Sequence, residues 1–264
     1  MEKTETILDK LANYAKERTE EAKRNISASD MKKMALDLKK GDFAFEKALR
    51  KDGLSFILEC KKASPSKGLI APEFPYLSIA KEYEAAGADC ISVLTEPKWF
   101  LGKNEYLAEI AREVKIPCLR KDFTVNEYMI YEARVLGASA VLLICSILSK
   151  AQIEEYLGIC NELGLSAIVE AHDEKEVNTA VEANAGIIGV NNRNLKDFTV
   201  DSNNSRKLRE LIPSDRIFVS ESGFKTPEDI ANIRRAGADA VLIGETVMRA
   251  ADKREALEIL RSAL

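Results

Sequence analysis

From residue 56 onward the chain returns eight times to a short run of β-branched and apolar residues. The runs are FILECK (56–61), CISVLT (90–95), PCLRKD (117–122), AVLLIC (140–145), SAIVEA (166–171), GIIGVN (186–191), RIFVSE (216–221) and AVLIGE (240–245). Each is separated from the next by a stretch long enough for an amphipathic helix, so neighbouring runs can pair only in parallel, the connection crossing over rather than turning back. Eight such units close into a barrel more naturally than they spread into an open sheet. The expected fold is therefore α/β, a (β/α)8 TIM barrel, and 264 residues is close to the usual length of one such domain.

A weak internal repeat supports closure. AAGADCISVL (85–94), VLGASAVLLI (135–144) and RAGADAVLIG (235–244) each join a helix end to a strand through Gly-Ala, and EANAGIIGV (182–190) is a looser copy. Glycine just past a helix takes the left-handed conformation that closes the last turn, and the small residue after it lets the chain enter the base of a barrel. These copies precede strands two, four, eight and six, so the even strands share one approach.

Helix starts are marked by capping signals. Thr124-Val-Asn-Glu127 and Ser149-Lys-Ala-Gln152 fit the capping box, and Thr226-Pro-Glu-Asp229 adds proline at the first helical position. Residues 1–45 fall outside the repeat. Ile7, Leu8, Leu11, Tyr14 and Ala15 form one apolar stripe, and Met31, Met34, Ala35, Leu36 and Leu38 suggest a second helix. The expected organisation is a single domain over 1–264, with 1–45 an N-terminal helical extension packed on the barrel and 46–264 the eight βα units.

Composition narrows the partners. A net charge of −4 gives no electrostatic reason to expect nucleic acid or an anionic membrane, so any bound anion must be held by a local site. The amino terminus is too charged for a signal peptide, and no apolar run is long enough to span a bilayer. The five cysteines, Cys60, Cys90, Cys118, Cys145 and Cys160, form no CxxC pair and read as reduced thiols in a cytoplasmic protein. With His172 the only histidine, a zinc site of His and Cys is not expected, and no metal is.

In such a barrel, polar residues at the carboxyl ends of strands carry the chemistry. Strand one ends Glu59-Cys60-Lys61, and the two-residue period puts Glu59 and Lys61 on one face and Cys60 on the other. Strand three ends Arg120-Lys121-Asp122, strand five reaches Glu170, strand six runs into Asn191-Asn192-Arg193, and strand seven ends Ser220-Glu221-Ser222-Gly223. Any one of these charges reads more simply as a solvated rim residue. Together they form a ring whose crowding costs folding energy without aiding stability, which favours function. Ser222 and Gly223 after strand seven, with Gly244 after strand eight, offer unobstructed backbone N–H groups in the two loops where these barrels hold phosphate. His172, two residues past Glu170, is expected at the rim, where helix capping is a simpler role for it than catalysis.

The stretch ECKKASPSKG (59–68), with SVLTEPKWFLG (92–102), LRKDF (119–123), VEAHD (169–173), GVNNRNL (189–195), SESGF (220–224) and IGETVMR (243–249), resembles the strand-end motifs of the indole-3-glycerol-phosphate synthase family, in order and at barrel spacing. The resemblance implies ring closure of 1-(2-carboxyphenylamino)-1-deoxyribulose 5-phosphate with loss of carbon dioxide and water, in tryptophan biosynthesis, without a cofactor. It assigns Lys121 as general acid, Glu170 as base or acid partner, Glu59 to the second proton transfer, and Lys61 to a substrate carboxylate or phosphate. Asn191 and Arg193 would orient the substrate, with Glu221 helping to offset the two lysines. Ser64, Ser222, Gly223 and Gly244 would line the phosphate region, and Phe123 and Leu195 would sandwich the anthranilate ring. Glu245 stands beside the expected phosphate, so its side chain is expected to turn away and leave only its backbone to bind.

The expected partner is thus a small phosphorylated substrate, with loose association with neighbouring pathway enzymes compatible with the resemblance. Phosphoribosylanthranilate isomerase, the nearest rival, would want a cysteine base inside strand one, whereas Cys60 faces the helices. A Schiff-base aldolase would suit Lys121. A noncatalytic metabolite-binding barrel would not need an acid and a base facing across one pocket.

Overall fold

The computed structural model describes residues 6–194 and 198–264. Eight parallel strands close into a barrel: β1 (Ser55–Cys60), β2 (Cys90–Leu94), β3 (Cys118–Lys121), β4 (Ala140–Ile144), β5 (Ser166–Ala171), β6 (Ile187–Asn191), β7 (Ile217–Glu221) and β8 (Ala240–Ile243). Each pairs with its sequence neighbours and β1 pairs with β8, so the sheet has no free edge. All eight runs read from the sequence are strands, several ending a residue or two sooner, so that Lys61 and Gly244 fall just beyond the sheet.

Alternation sorts the strand residues into two cores. Ile57, Leu119, Ile168 and Val219 fill the barrel, while Phe56, Leu58, Val141, Val169 and Phe218 face the surrounding helices. Cys60 belongs to the outer set, as its parity requires. Gly87, Gly137 and Gly237 all sit in the left-handed region, at φ of 85, 87 and 87°, and in the looser repeat Asn184 takes the same conformation at φ 60°. Ser149 and Thr226 make the expected capping boxes. Thr124 does not. The helix there starts at Glu127, and Asn126 caps it by accepting the Tyr128 N–H, because an Asn side chain two residues from a free N–H closes the turn by itself.

The amino-terminal segment forms three helices, where two were expected: α1 (Ile7–Asn25), α2 (Ala28–Asp37) and α3 (Ala44–Leu49), the last crossing the boundary placed at residue 45. Helix α1 lies at the carboxyl end of the barrel and sends Leu11, Ala12 and Ala15 into the inner core. Helix α2 contributes only Met31 and Ala35 to packing, and Met34, Leu36 and Leu38 of the expected stripe point to solvent. Helix α3 closes the opposite end with Phe45 and Leu49, and its Glu46 N–H donates to the Ser166 hydroxyl at the start of β5. Just before α3 the chain is stitched backbone to backbone to the end of α7 (Lys150–Leu163). Gly41 donates to Leu163 O at 2.9 Å and Phe43 to Gly164 O at 3.1 Å. A Cβ at Gly41 would lie 2.4 Å from Gly164 O, so only glycine permits this approach.

Candidate active site

At the carboxyl end of the barrel, β1, β3, β5 and β7 present Glu59, Lys121, Glu170 and Glu221 as their last inward residues, two places beyond Ile57, Leu119, Ile168 and Val219. Alternate strands supply the side chains of one layer in such barrels, and here that layer is one ammonium and three carboxylates. All are buried or nearly so. Lys121 Nζ lies 2.8 Å from Glu170 Oε2 and 3.1 Å from Glu221 Oε2. Lys61 Nζ donates to Glu59 Oε1 at 2.7 Å, and the Ser92 hydroxyl donates to Glu59 Oε2 at 3.2 Å.

Burial alone would strip Lys121 of its proton, but Glu170, Glu221 and Glu59 outweigh it and hold the ammonium charged far above the usual lysine range. Burial also opposes charge on Glu170, yet Lys121 and His172 overcome it and keep this carboxylate ionised. Glu221 goes the other way. Burial, reinforced by the negative Glu170, outweighs the help of Lys121 and raises it to about 7. Two carboxylates share one lysine, and near neutrality the pair holds an exchangeable proton. Glu221 Oε1 has no partner and rests over Gly189 of β6, where a Cβ would stand 2.5 Å from it.

These groups border a cavity of about 110 Å³. One wall is aromatic: Phe123 and Phe100 lie 6.1 Å apart, and Phe198 borders the same space. Ile7 and Leu11 of α1 reach the cavity from above. At its polar end stand Ser64, Lys61 and Ser222. Ser64 belongs to a short antiparallel ladder, Ala63–Ser64 with Gly68–Leu69, in the loop after β1. Ser222 and Gly223 are both left-handed, at φ 69 and 94°. The Ser222 hydroxyl donates to Asn191 Oδ1 at 2.9 Å, and the same oxygen takes the Arg193 backbone N–H at 3.0 Å, so Asn191 organises the rim between β6 and β7. Arg193 Nη1 donates to Phe198 O at 3.2 Å.

Gly244 precedes a short helix, α11 (Glu245–Arg249), and a Cβ there would lie 2.7 Å from Glu59 Oε1 and 2.8 Å from Lys61 Nζ. A side chain there would therefore have to displace the Glu59–Lys61 pair. Glu245 is among the residues that border the cavity, and its carboxylate takes Arg249 at 3.2 Å with Lys67 3.8 Å away. Leu195 lies outside the described residues.

Several participants were not singled out from the sequence. Arg18 of α1 grips Asp122, the neighbour of Lys121, at 2.7 and 3.3 Å, and the Thr95 hydroxyl donates to the same carboxylate at 2.6 Å. Glu96, fully buried, accepts the backbone N–H groups of Lys98, Trp99 and Phe100 and so shapes the loop that brings Phe100 to the cavity. His172 is at the rim but caps no helix. Asp173 caps α8 (Glu174–Glu182), while the His172 ring stands between Glu170 Oε1 at 3.3 Å and Glu176 Oε2 at 3.0 Å.

An ammonium donor, an ionised acceptor and a carboxyl raised toward neutrality, all at one small cavity with an aromatic wall, are groups able to exchange protons with a bound molecule.

Comparison with known proteins gives a family. Residues 8–260 match the family Indole-3-glycerol phosphate synthase. The indole-3-glycerol phosphate synthase of Ruminiclostridium cellulolyticum is 57% identical, over 97% of this chain and 99% of that protein. The enzyme of the same name from Endomicrobium trichonymphae is 54% identical over 97% and 99% of the two chains. Among solved structures, thiamine phosphate pyrophosphorylase from Pyrococcus furiosus superposes with a TM-score of 0.60 at 18% identity, over 83% of this chain and 96% of that one, a likeness of fold alone.

Proposed function

The chain belongs to the indole-3-glycerol phosphate synthase family, and from that premise we propose how its barrel mouth performs the reaction. The substrate is 1-(2-carboxyphenylamino)-1-deoxyribulose 5-phosphate. The anthranilate ring carbon attacks the sugar ketone while Lys121 protonates the carbonyl oxygen. The carboxylate then leaves as carbon dioxide, its bonding pair restoring the aromatic ring, which makes the enzyme a carboxy-lyase. In the dehydration that follows, the new hydroxyl takes a proton from Lys121, recharged through Glu221, and leaves as water, while Glu170 removes a proton from the substrate carbon beside the nitrogen to form the indole double bond.

The observation that carries this reading is the Lys121 ammonium held between Glu170 and Glu221. Kept protonated, Lys121 carries a proton at the cavity and is poorly suited to attack a carbonyl as a free amine, which supports an acid over a Schiff base. Glu221 can return a proton to the pair between the two steps, since it titrates near neutrality. Glu59, tied to Lys61 and Ser92, assists the second transfer and holds Lys61 toward the substrate's anionic groups. Phe123, Phe100 and Phe198 face the anthranilate ring, and Ser64, Ser222, Gly223 and Gly244 surround the phosphate, with Asn191 and Arg193 fixing the rim between. Five free cysteines support a reducing, cytoplasmic setting.

Lys121→Ala tests the reading. Turnover, followed by indole fluorescence, should fall by at least 10²–10⁴-fold, roughly the worth of a positioned acid, while circular dichroism stays native. Near-normal turnover in a folded variant would remove the proposed acid.

A further inference from the structure

We infer that His172 is the positioning residue for Glu170: clamped from behind by Glu176, its ring faces the second carboxylate oxygen and shares the negative charge that Lys121 neutralises from the other side. The inference rests on the acid–base reading of Glu170 and adds a component that the reading does not contain.

The two oxygens of Glu170 have separate partners. Oε2 takes Lys121 Nζ at 2.8 Å, and Oε1 faces His172 Nε2 at 3.3 Å, a buried charge contact without hydrogen-bond alignment. The imidazole cannot drift, because Nδ1 donates to Glu176 Oε2 at 3.0 Å and the His172 backbone N–H donates to the same oxygen at 2.8 Å. Glu176 is itself fixed by the Ser146 hydroxyl from the loop after β4. The His172 carbonyl accepts the Asn204 side chain at 3.0 Å from α9 (Asn204–Leu208). Three elements around the ring thus hold it in one pose. The order Glu176, His172, Glu170, Lys121, Glu221 alternates in charge from the rim to the centre of the barrel, the arrangement in which a buried row of charges is least costly.

The surroundings fix the protonation state. Burial disfavours the imidazolium, but Glu170 and Glu176 outweigh it and raise His172 to about 10. Cys145, at the end of β4, is raised to about 12 and stays neutral. The groove that His172 borders also holds Lys16, Asp173, Lys175, Arg193 and Asp201. None of these bonds to the ring, and Asp173 is occupied by the Glu176 N–H. A neutral imidazole at this position would leave Glu170 with one cation to share with Glu221, and the exchangeable proton would move toward the wrong carboxylate.

Because His172 is the only histidine, an untagged protein gives one imidazole signal to titrate by NMR. The wild-type ring should remain protonated well above neutrality, and Glu170→Gln should bring its midpoint down toward about 6.5, the ordinary histidine value. A wild-type midpoint near that ordinary value, or one that Glu170→Gln does not move, overturns the inference with no activity measurement. The kinetic arm uses His172→Gln, which keeps a neutral donor. Its kcat should fall about 10- to 100-fold through loss of the cation that faces Glu170 Oε1, with KM nearly unchanged. The acid limb of its kcat profile should move up by about one pH unit, since Glu170 loses a cation that favours its ionised form. Glu176→Gln should move the limb in the same direction by less. A uniform loss with no shift of the limb would mark His172 as merely structural. Glu170→Gln is the control: normal turnover there would fell the acid–base reading itself, whereas an inactive Glu170→Gln beside an unshifted His172→Gln profile overturns only the role of His172.

Discussion

Replacing Gly189 by alanine introduces one methyl group beneath the buried layer of Lys121 and its carboxylates, and the structure says where the strain must go. The new Cβ would stand 2.5 Å from Glu221 Oε1 and 2.8 Å from Ile168 Cγ2. Ordinary contact needs roughly an ångström more, and inserting a methyl into a packed core costs about 1–3 kcal/mol. Ile168 is fully buried among neighbours inside the barrel and has nowhere to retreat. Glu221 can yield, because Oε1 has no partner, but only by swinging its other oxygen off Lys121, now 3.1 Å away. A charge-assisted hydrogen bond of this kind contributes about 1.5–3 kcal/mol, so kcat should drop roughly 10- to 100-fold. Stability should fall as well, at about 2–4 °C in Tm per kcal/mol for a chain approaching this size. The assay is steady-state turnover by indole fluorescence beside a thermal melt. If Tm falls while kcat stays at the wild-type value, Ile168 and not Glu221 has absorbed the methyl, and the reasoning fails.

Gly244→Ala places a Cβ against the Glu59–Lys61 pair, so KM for the phosphorylated substrate should rise several-fold with a smaller change in kcat; an unchanged KM would separate Lys61 from substrate binding. Arg18→Met leaves the wholly buried Asp122 with the Thr95 hydroxyl, the Phe123 N–H and, as its one remaining cation, a more distant Arg120, and should cost about 2–4 kcal/mol in urea unfolding. A loss well below 1 kcal/mol would show that Arg120 suffices. For pH, the sign follows from His172: its folded pKa of about 10 lies above the unfolded value of about 6.5, so its contribution is fully present below the lower value and lost as pH rises through the upper one. Unfolding free energy should therefore decline across that window, and this part of the decline should vanish in His172→Gln; an equal decline in both proteins would refute it.

The barrel and its layer of charges were legible because both follow from a period of two. Once Ile57 faces inward, Glu59 must as well, and the same counting places Lys121, Glu170 and Glu221 and turns Cys60 away. Sequence spacing is silent wherever a contact joins distant segments. Nothing local distinguishes Arg18 from the other cations of α1, and only the fold brings it to Asp122. Gly189 reads as one more small strand residue until Glu221 is seen above it. Helix α3 escaped notice because its Phe45 and Leu49 carry too few turns for a period to show, although they seal the base of the barrel. The capping box read at Thr124 failed through competition, Asn126 lying closer to the helix it caps. For His172, counting residues located the ring correctly and missed its work, since Glu176 reaches it only after α8 has formed.

The stitch between Gly41 and Gly164 lies at the opposite end of the barrel from the buried layer of Lys121 and its carboxylates, and it anchors the far end of the segment that follows α1. With Arg18 fastened at the mouth and Gly41 at the base, residues 19–40 act as a strap of fixed length along the outer wall. Adding or deleting a residue in that strap should shift α1 and with it Ile7 and Leu11, which border the cavity, although no altered atom comes near Lys121.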